Sequence, residues 1–382
     1  FNRFSVYGSY TILDDVTVDQ LMVINSGWSI SGGSMIHTTM NGDLINHGIL
    51  YTLGTTTFTG TVLQTLSLIN AVQTVAITVN FNGTVPPVLN STSAPQYGYL
   101  NINNTGGITP STGWSILYGL SVGTGASFNG GIYTHNLLGS LDNNGTITGS
   151  GTFNFIPSSA ATIDFGADLS SSGTVVLGST GAITVAGTPV SFNNVLISNT
   201  HASGITPASD WEILNDFTVN GSSTFHAGAH TYSVGNNIQV DGTLDAGTST
   251  FILNGTDHQD IFNTSGFYNL TLDKAADVAT LFANTSVNGT LQFISGNLNT
   301  DEYALVQSAT AAVTGAAQNT GWVNGLLQKG VATGATSKTF EVGDATTYAP
   351  VSVAFSNVTT AGNLTVSSTA VDHPDIASAT IN

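Results

Sequence analysis

The chain is written in short runs where apolar and polar residues alternate. Thr146-Ile-Thr-Gly-Ser-Gly-Thr-Phe-Asn-Phe155 is one such run, and Asn237-Ile-Gln-Val-Asp-Gly-Thr-Leu244 is another. A period of two puts every second side chain on the same face, so each run predicts a strand with one buried face. Turn dipeptides stand between the runs: Asn41-Gly42, Asn82-Gly83, Asn129-Gly130, Asn144-Gly145, Asn220-Gly221, Asn254-Gly255 and Asn288-Gly289. Asn-Gly marks a hairpin, or equally the corner of a solenoid coil where one residue must take a positive φ. No amphipathic helical pattern emerges. Ala275 to Phe282 comes nearest, and it is too short to stand as a helix.

The runs also repeat. Trp211-Glu-Ile-Leu-Asn-Asp-Phe-Thr-Val219 and Trp114-Ser-Ile-Leu-Tyr-Gly-Leu-Ser-Val122 are one phrase, 97 residues apart. Tyr10-Thr-Ile-Leu-Asp-Asp-Val-Thr-Val18 is an earlier copy, and Ala279-Thr-Leu-Phe-Ala-Asn-Thr-Ser-Val287 a degenerate later one. Gly48, Gly145 and Gly242 recur at the same spacing of 97, as do Ile108-Thr-Pro110 and Ile205-Thr-Pro207. Self-similarity at a fixed period is the signature of a stacked array.

Two all-β architectures accommodate this pattern. The preferred one is a right-handed parallel β-helix, a solenoid with several coils per unit of about 97 residues. The alternative is a string of tandem β-sandwich domains of that size. The phrase copies are spaced unequally, at 104, 97 and 68 residues. A solenoid tolerates the loss of a coil, whereas a sandwich that lost 30 or so residues would lose strands. Sandwich markers, such as a mid-domain Trp followed by a Tyr corner, are missing. From about residue 319 the vocabulary changes, through Gly321-Trp-Val-Asn-Gly325 and Lys338-Thr-Phe-Glu-Val-Gly-Asp344 to Tyr348-Ala-Pro-Val-Ser-Val-Ala-Phe355. The expected organisation is a repeat-built β-helix over 1–318 and a C-terminal β module or cap over 319–382, covering the end of the stack.

Composition narrows what such an array can do. Of 382 residues, 41 % are apolar, enough for a core, and only 7 % are charged. The basic residues are Arg3, Lys274, Lys329 and Lys338 alone, against 22 acidic ones. With no Lys or Arg from Phe4 to Asp273, ion pairs with these side chains cannot hold that stretch together. A phosphate-binding groove is excluded there too, and nucleic acid is not an expected partner. The net charge of −18 favours solubility and attracts divalent cations. Cysteine is absent, so there are no disulfides and no thiolate metal sites. No apolar run reaches the roughly 18 residues of a membrane-spanning helix. Phe1 does not read as a translation start, and the chain reads as mature or excised.

Candidate chemistry is sparse. Carbohydrate-cleaving solenoids need paired carboxylates with a His and a basic group, or a Lys or Arg base beside calcium. Asp14-Asp15 and Asn46-His-Gly48 fit part of the hydrolase pattern but have no basic partner nearby, and Asp14-Asp15 occupies a repeat position whose copies read Tyr118-Gly119 and Asn215-Asp216. Asp257-His-Gln-Asp260 is the densest group of ligand-type side chains, and within it Gln259 belongs to the repeat, 195 residues after Gln64. Hard carboxylate oxygens suit calcium, and Asp210, Glu212, Asp216, Asp257 and Asp260 are the candidate metal ligands. No other cofactor is expected. His226 and His230, four apart on a strand, stand too far apart for one metal unless a turn intervenes. Trp114 and Trp211 are expected to pack near a coil corner, while Trp28 or Trp322 could serve as sugar platforms.

The C-terminal third carries a resemblance. Phe251-Ile-Leu-Asn-Gly255, Phe267-Tyr-Asn-Leu-Thr-Leu272, Val287-Asn-Gly-Thr-Leu291, Trp322-Val-Asn-Gly325, Phe340-Glu-Val-Gly343 and Tyr348-Ala-Pro-Val351 follow one another in that order. This resembles large secreted β-helical surface proteins of the Bacteroidota, adhesin-like cargo of the type IX secretion route. The match covers about 250–355 directly and 1–250 through the internal repeat. The resemblance implies export. The C-terminal sorting domain of such cargo is not recognisable before Asn382.

The functional expectation is a non-enzymatic, extracellular structural or adhesive protein of the bacterial cell surface, a stiff rod or self-assembling fibre subunit. Its expected partners are copies of itself, as a homopolymer, and host-surface or matrix glycans. The alternatives are a glycan-binding module or a polysaccharide-degrading β-helix enzyme, the latter with activity lost on Asp14→Ala or Asp257→Ala.

Overall fold

A computed structural model describes residues 1–33, 36–52, 54–68, 78–92, 94–166 and 168–370. Residues 3–343 form an all-β parallel solenoid of about 15 turns, and no helix occurs among the described residues. The tail of the expected C-terminal module, 371–382, lies outside them. The chain divides into two compact units, Phe1–Glu212 and Ile213–Asn382.

In the first unit the coil is plainest at its start. The first turn is β1 (Arg3–Val6), β2 (Tyr10–Ile12) and β3 (Val16–Val18). The second is β4 (Leu21–Ile24), β5 (Ser29–Gly32) and β6 (His37–Met40), and the third is β7 (Asp43–Asn46), β8 (Ile49–Thr52) and β9 (Thr55–Phe58). Each strand pairs in parallel with its counterpart in the next turn: Met22 with Leu44, Ile30 with Leu50, Thr39 with Thr57. The alternation read from the sequence is the burial pattern. Met22, Ile24, Ile30, Met40, Leu44, Leu50 and Phe58 point inward and are almost fully buried.

Farther along, the core of this unit becomes aromatic. Phe81 lies over Trp114 with centroids 6.1 Å apart, Trp114 over Phe128 at 5.3 Å, and His135 over Phe153 at 5.3 Å. Trp114, expected to pack near a coil corner, is 1 % exposed and lies within this aromatic core. The run Thr146–Phe155 is one bent strand. Its first part pairs with Ser127–Asn129 and its second with Thr134–Leu137, with an irregularity between Gly149 and Thr152.

Corners are closed by buried amides. Asn46, Asn104, Asn143 and Asn199 are buried, and the side-chain oxygen of each accepts the backbone N–H two residues on, from Gly48, Gly106, Gly145 and His201 at 2.9–3.2 Å. This Asx-turn pairs a backbone N–H of a sharp bend that sits in the core. Several of these amides also reach other turns: Asn104 Nδ2 donates to the carbonyls of Asn82 and Val85, and Asn143 Nδ2 to that of Phe165.

Two features lie beyond the sequence pattern. Of the eight Asn-Gly glycines, Gly83 (φ 93) and Gly325 (φ 126) take a positive φ themselves, and after Asn129-Gly130 and Asn220-Gly221 the next residue does, Gly131 (φ 63) and Ser222 (φ 67). At Gly42 and Gly145 the reason for glycine is proximity. A Cβ would overlap the carbonyl oxygen of Gln20 in the first case and press on that of Ala126 in the second. The 97-residue repeat, secondly, is not a whole number of coils. Asp43–Asn46 and Ser140–Asn143 are equivalent by sequence and make the same Asx-turn. Yet the first lies in the sheet of β1, β4 and Thr65–Leu68, and the second pairs with Ser115–Val122 and Ala161–Asp164 in another sheet. The repeat preserves strand and corner while moving them to a different side of the coil.

In the second unit the pairing continues in the same way. Phe217–Val219 pairs with Ile238–Val240, Thr250–Leu253 with Asn269–Asp273, and Leu298–Gln307 with Val323–Val331. The alternating run at 237–244 is two strands, Ile238–Val240 and Thr243–Asp245, with a corner at Asp241-Gly242 between them. Ala279–Leu281, in the stretch nearest to a helical pattern, is a strand. The last parallel pair is Val323–Asn324 with Val342–Gly343. Antiparallel pairing then appears, of Val323–Val331 with Gly362–Val366 and of Gly334–Phe340 with Val351–Val358.

Candidate functional site

Charge gathers at one place in the second unit, around the turn Asp257-His-Gln-Asp260. Gln259 opens the strand Gln259–Asn263 and is fully buried. Its Oε1 accepts the Gly255 N–H (3.0 Å), and its Nε2 donates to the carbonyls of Val234 (2.9 Å) and Asn236 (2.6 Å). Gln64, its repeat partner, does the same in the first unit, with the Gly60 N–H and the carbonyls of Met40 and Gly42. The repeated glutamine is therefore a buried clamp across turns.

Lys274 completes the clamp in the second unit. It is 2 % exposed, and its Nζ donates to the Gly255 carbonyl (3.0 Å), the Asp257 carbonyl (2.7 Å) and Gln259 Oε1 (2.9 Å). Burial pulls this ammonium below its ordinary pKa, against the attraction of Asp277 and Asp257. With three oxygens around it, the group acts as an internal cross-link.

His258 is exposed above this. Its Nε2 lies 3.0 Å from Asp260 Oδ1 and its Nδ1 3.7 Å from Asp277 Oδ1. Asp277 sits at φ 60, in the left-handed region that Asp tolerates better than most residues, and its carboxylate accepts the Val278 N–H at 2.7 Å. Asp277 also borders a shallow groove of about 390 Å³, lined further by Asn297, Gln318, Thr320, Gly321 and Trp322. Gln318 is held by the Tyr348 N–H and the Thr346 carbonyl. Trp322 is only 4 % exposed, and its Nε1 donates to the Asp344 carbonyl at 2.8 Å, so it offers no ring face to a sugar. Trp28 does remain partly open, at 41 %.

The other candidate ligands are placed as follows. Glu212 accepts the Ser191 hydroxyl at 2.6 Å, and the Asp210 carbonyl accepts the Val190 N–H; both belong to the first unit. Asp216, in the second, accepts the Asn236 amide and the Asn237 N–H. Asp257 contributes its backbone oxygen to Lys274, and Asp260 is paired with His258. A turn at Gly228 does separate His226 from His230, but His226 bonds Asp245 at 2.9 Å. Among the described residues no group of three or more His, Asp or Glu is arranged to hold a metal. At the first corner Asp14 is exposed and accepts the Asp15 N–H, while Asp15 accepts the His37 N–H of the next turn at 2.8 Å. Asp15 thus links two coils.

Sequence reasoning missed two exposed rings, Tyr99 and Tyr118, which lie side by side on the outer surface of the first unit. The signal was present: both interrupt alternating strands at outward positions, 19 residues apart, about one coil.

Compared with known proteins, the chain matches no family model, no curated protein and no solved structure.

Proposed function

We propose that the chain is a non-enzymatic structural and adhesive protein of the bacterial exterior, exported to the cell surface or extracellular matrix, where copies of it associate into fibres. The observation that carries this reading is how the polar side chains are used. Gln64, Asn104 and Asn143, and in the second unit Gln259, bridge turns from inside. Carboxylates do the same from outside: Asp15 accepts the His37 N–H, Asp43 the Thr65 N–H and Asp216 the Asn237 N–H. A coil stack held by hydrogen bonds and apolar packing, with few ion pairs between side chains, loses little strength as external salt changes. Its strand edges are natural sites of association between copies. The resemblance to secreted surface proteins of the Bacteroidota supports export.

The test has two parts. Immunogold labelling of intact cells places the protein outside. The purified chain is then incubated with a polysaccharide panel, and reducing ends are counted. The reading expects surface label and no release. Reducing ends whose appearance is abolished by Asp14→Ala or Asp257→Ala would overturn it in favour of a degrading enzyme.

A further inference from the structure

We propose that Tyr99 and Tyr118 form the floor of a binding groove for a neutral pyranose glycan on the outer face of the first unit. The proposal rests on the adhesive reading and gives it a site and a ligand class.

The geometry is local and specific. Tyr99 is 46 % and Tyr118 42 % exposed, with ring centroids 5.4 Å apart and planes inclined by 40°. Each interrupts a strand whose inward positions are filled: Tyr97, Leu100 and Ile102 in Gln96–Ile102, and Ile116, Leu120 and Val122 in Ser115–Val122. The cores below are complete without the two tyrosines. Two outward columns cross the coils here. One runs Tyr99, Gly119, Ser140 and the other Asn101, Ser121, Asp142. After the rings, every residue of the first column is small. A Cβ on Gly119 would stand 3.3 Å from the Tyr99 ring. The outcome is an open groove of about 350 Å³ lined by these residues, within the range of roughly 300–1,000 Å³ usual for ligand sites.

The lining matches a sugar. A pyranose presents C–H groups on its faces and hydroxyls at its rim. Aromatic faces take the first, and amides, hydroxyls and carboxylates take the second. The polar groups are already held in place. Asn101 Nδ2 donates to Asn80 at 2.8 Å, Ser140 Oγ accepts the Thr162 N–H at 3.1 Å, and Asp142 accepts the Asn144 amide at 2.7 Å. Groups fixed before binding lose little freedom on binding. Successive coils are spaced by about 4.8 Å, so the two rings step along the surface on the scale of one sugar residue. Charge selects among glycans. Asp142 lies in the groove and no Lys or Arg occurs between Phe4 and Asp273, so uronates, sulfated sugars and phosphates are repelled. A proline-rich peptide also docks on paired tyrosines, but it would leave the carboxylate and hydroxyl rim unmatched.

The experiment is an array of neutral oligosaccharides, followed by titration calorimetry with the best hexasaccharide. Hexagalacturonate and a proline-rich decapeptide serve as the other two probes. The proteins are the full chain and its Tyr99→Ala, Tyr118→Ala, Tyr118→Phe and double-alanine variants. Both rings are exposed, so far-UV circular dichroism should be unchanged in all of them. A neutral hexasaccharide is expected to bind. Each alanine should weaken it by on the order of tenfold, while Tyr118→Phe keeps most of the affinity. Four outcomes overturn the proposal: no neutral probe binds, the double variant binds as well as the parent, only hexagalacturonate binds, or only the peptide binds. Surface labelling and polysaccharide cleavage are measured without this groove. A labelled, non-cleaving protein that ignores neutral glycans would lose the site and keep the structural reading.

Discussion

His135 lies in the aromatic core of the first unit with both ring nitrogens engaged. Nε2 faces the Gly130 carbonyl at 2.9 Å, and Nδ1 accepts the Trp114 N–H at 3.2 Å. Those partners require the neutral tautomer with its proton on Nε2, and burial pushes the pKa below the ordinary 6.5. The unfolded chain therefore takes up a proton near pH 6.5 that the folded chain refuses. Stability is greatest above that pH and falls as pH drops below it, by up to about 1.4 kcal/mol per pH unit until the folded pKa is reached. Urea unfolding at pH 7.5 and 5.5 should show this loss, and His135→Phe should flatten it. A parent whose stability is equal at both pH values would contradict the assignment. The sequence shows only a histidine in an alternating run. Two residues before Leu137, it takes an inward position of the strand Thr134–Leu137, but its aromatic neighbours Trp114, Phe128 and Phe153 come from elsewhere along the chain. Gln259 is more legible, because its spacing from Gln64 marks it as part of the repeat. That both are core clamps depends on carbonyls more than 20 residues away.

At the scale of strand and corner, alternation and Asn-Gly punctuation were enough to indicate parallel coils. They were not enough to say why the glycines are there. In the second unit a Cβ on Gly255 would overlap the Gly235 carbonyl oxygen, whereas Gly221 has open space around it and no positive φ. The same dipeptide thus serves two situations. Gly255→Ala should destabilise by about 1–3 kcal/mol through overpacking. Gly221→Ala should be neutral or stabilise by up to about 1 kcal/mol, through the unfolded chain. Thermal melts of the two variants check this, and equal effects would refute the account of the corners. The phase of the repeat was hidden for a related reason. A sequence period counts residues, while a coil counts sides. Asn46 and Asn143 keep the same turn and change sheets.

For the molecule as a whole, the scarcity of basic residues makes a sharp proteolytic expectation. Arg3 is exposed, whereas Lys274 and Lys329 are buried at 2 % and 6 %, and Lys329 is bonded to Glu341 at 2.6 Å. Trypsin should cut native protein at Arg3 and Lys338 and spare Lys274 and Lys329. After denaturation it should release 4–274 as one piece, while chymotrypsin fragments that piece. Mass spectrometry of the digests decides this, and early native cleavage at Lys274 would contradict the buried clamp. What composition made legible is how few Lys and Arg side chains there are to form ion pairs. What it could not locate is where the few charges meet. His258, Asp260 and Asp277 are brought together only by the coil, and Tyr99 reaches Tyr118 only by stacking. The most direct test of the central claim is negative-stain electron microscopy of native protein released from the cell surface without denaturant. The account predicts regular filaments of repeating subunits. Isolated particles that stay monomeric at high concentration, with and without calcium, would contradict a self-associating structural role.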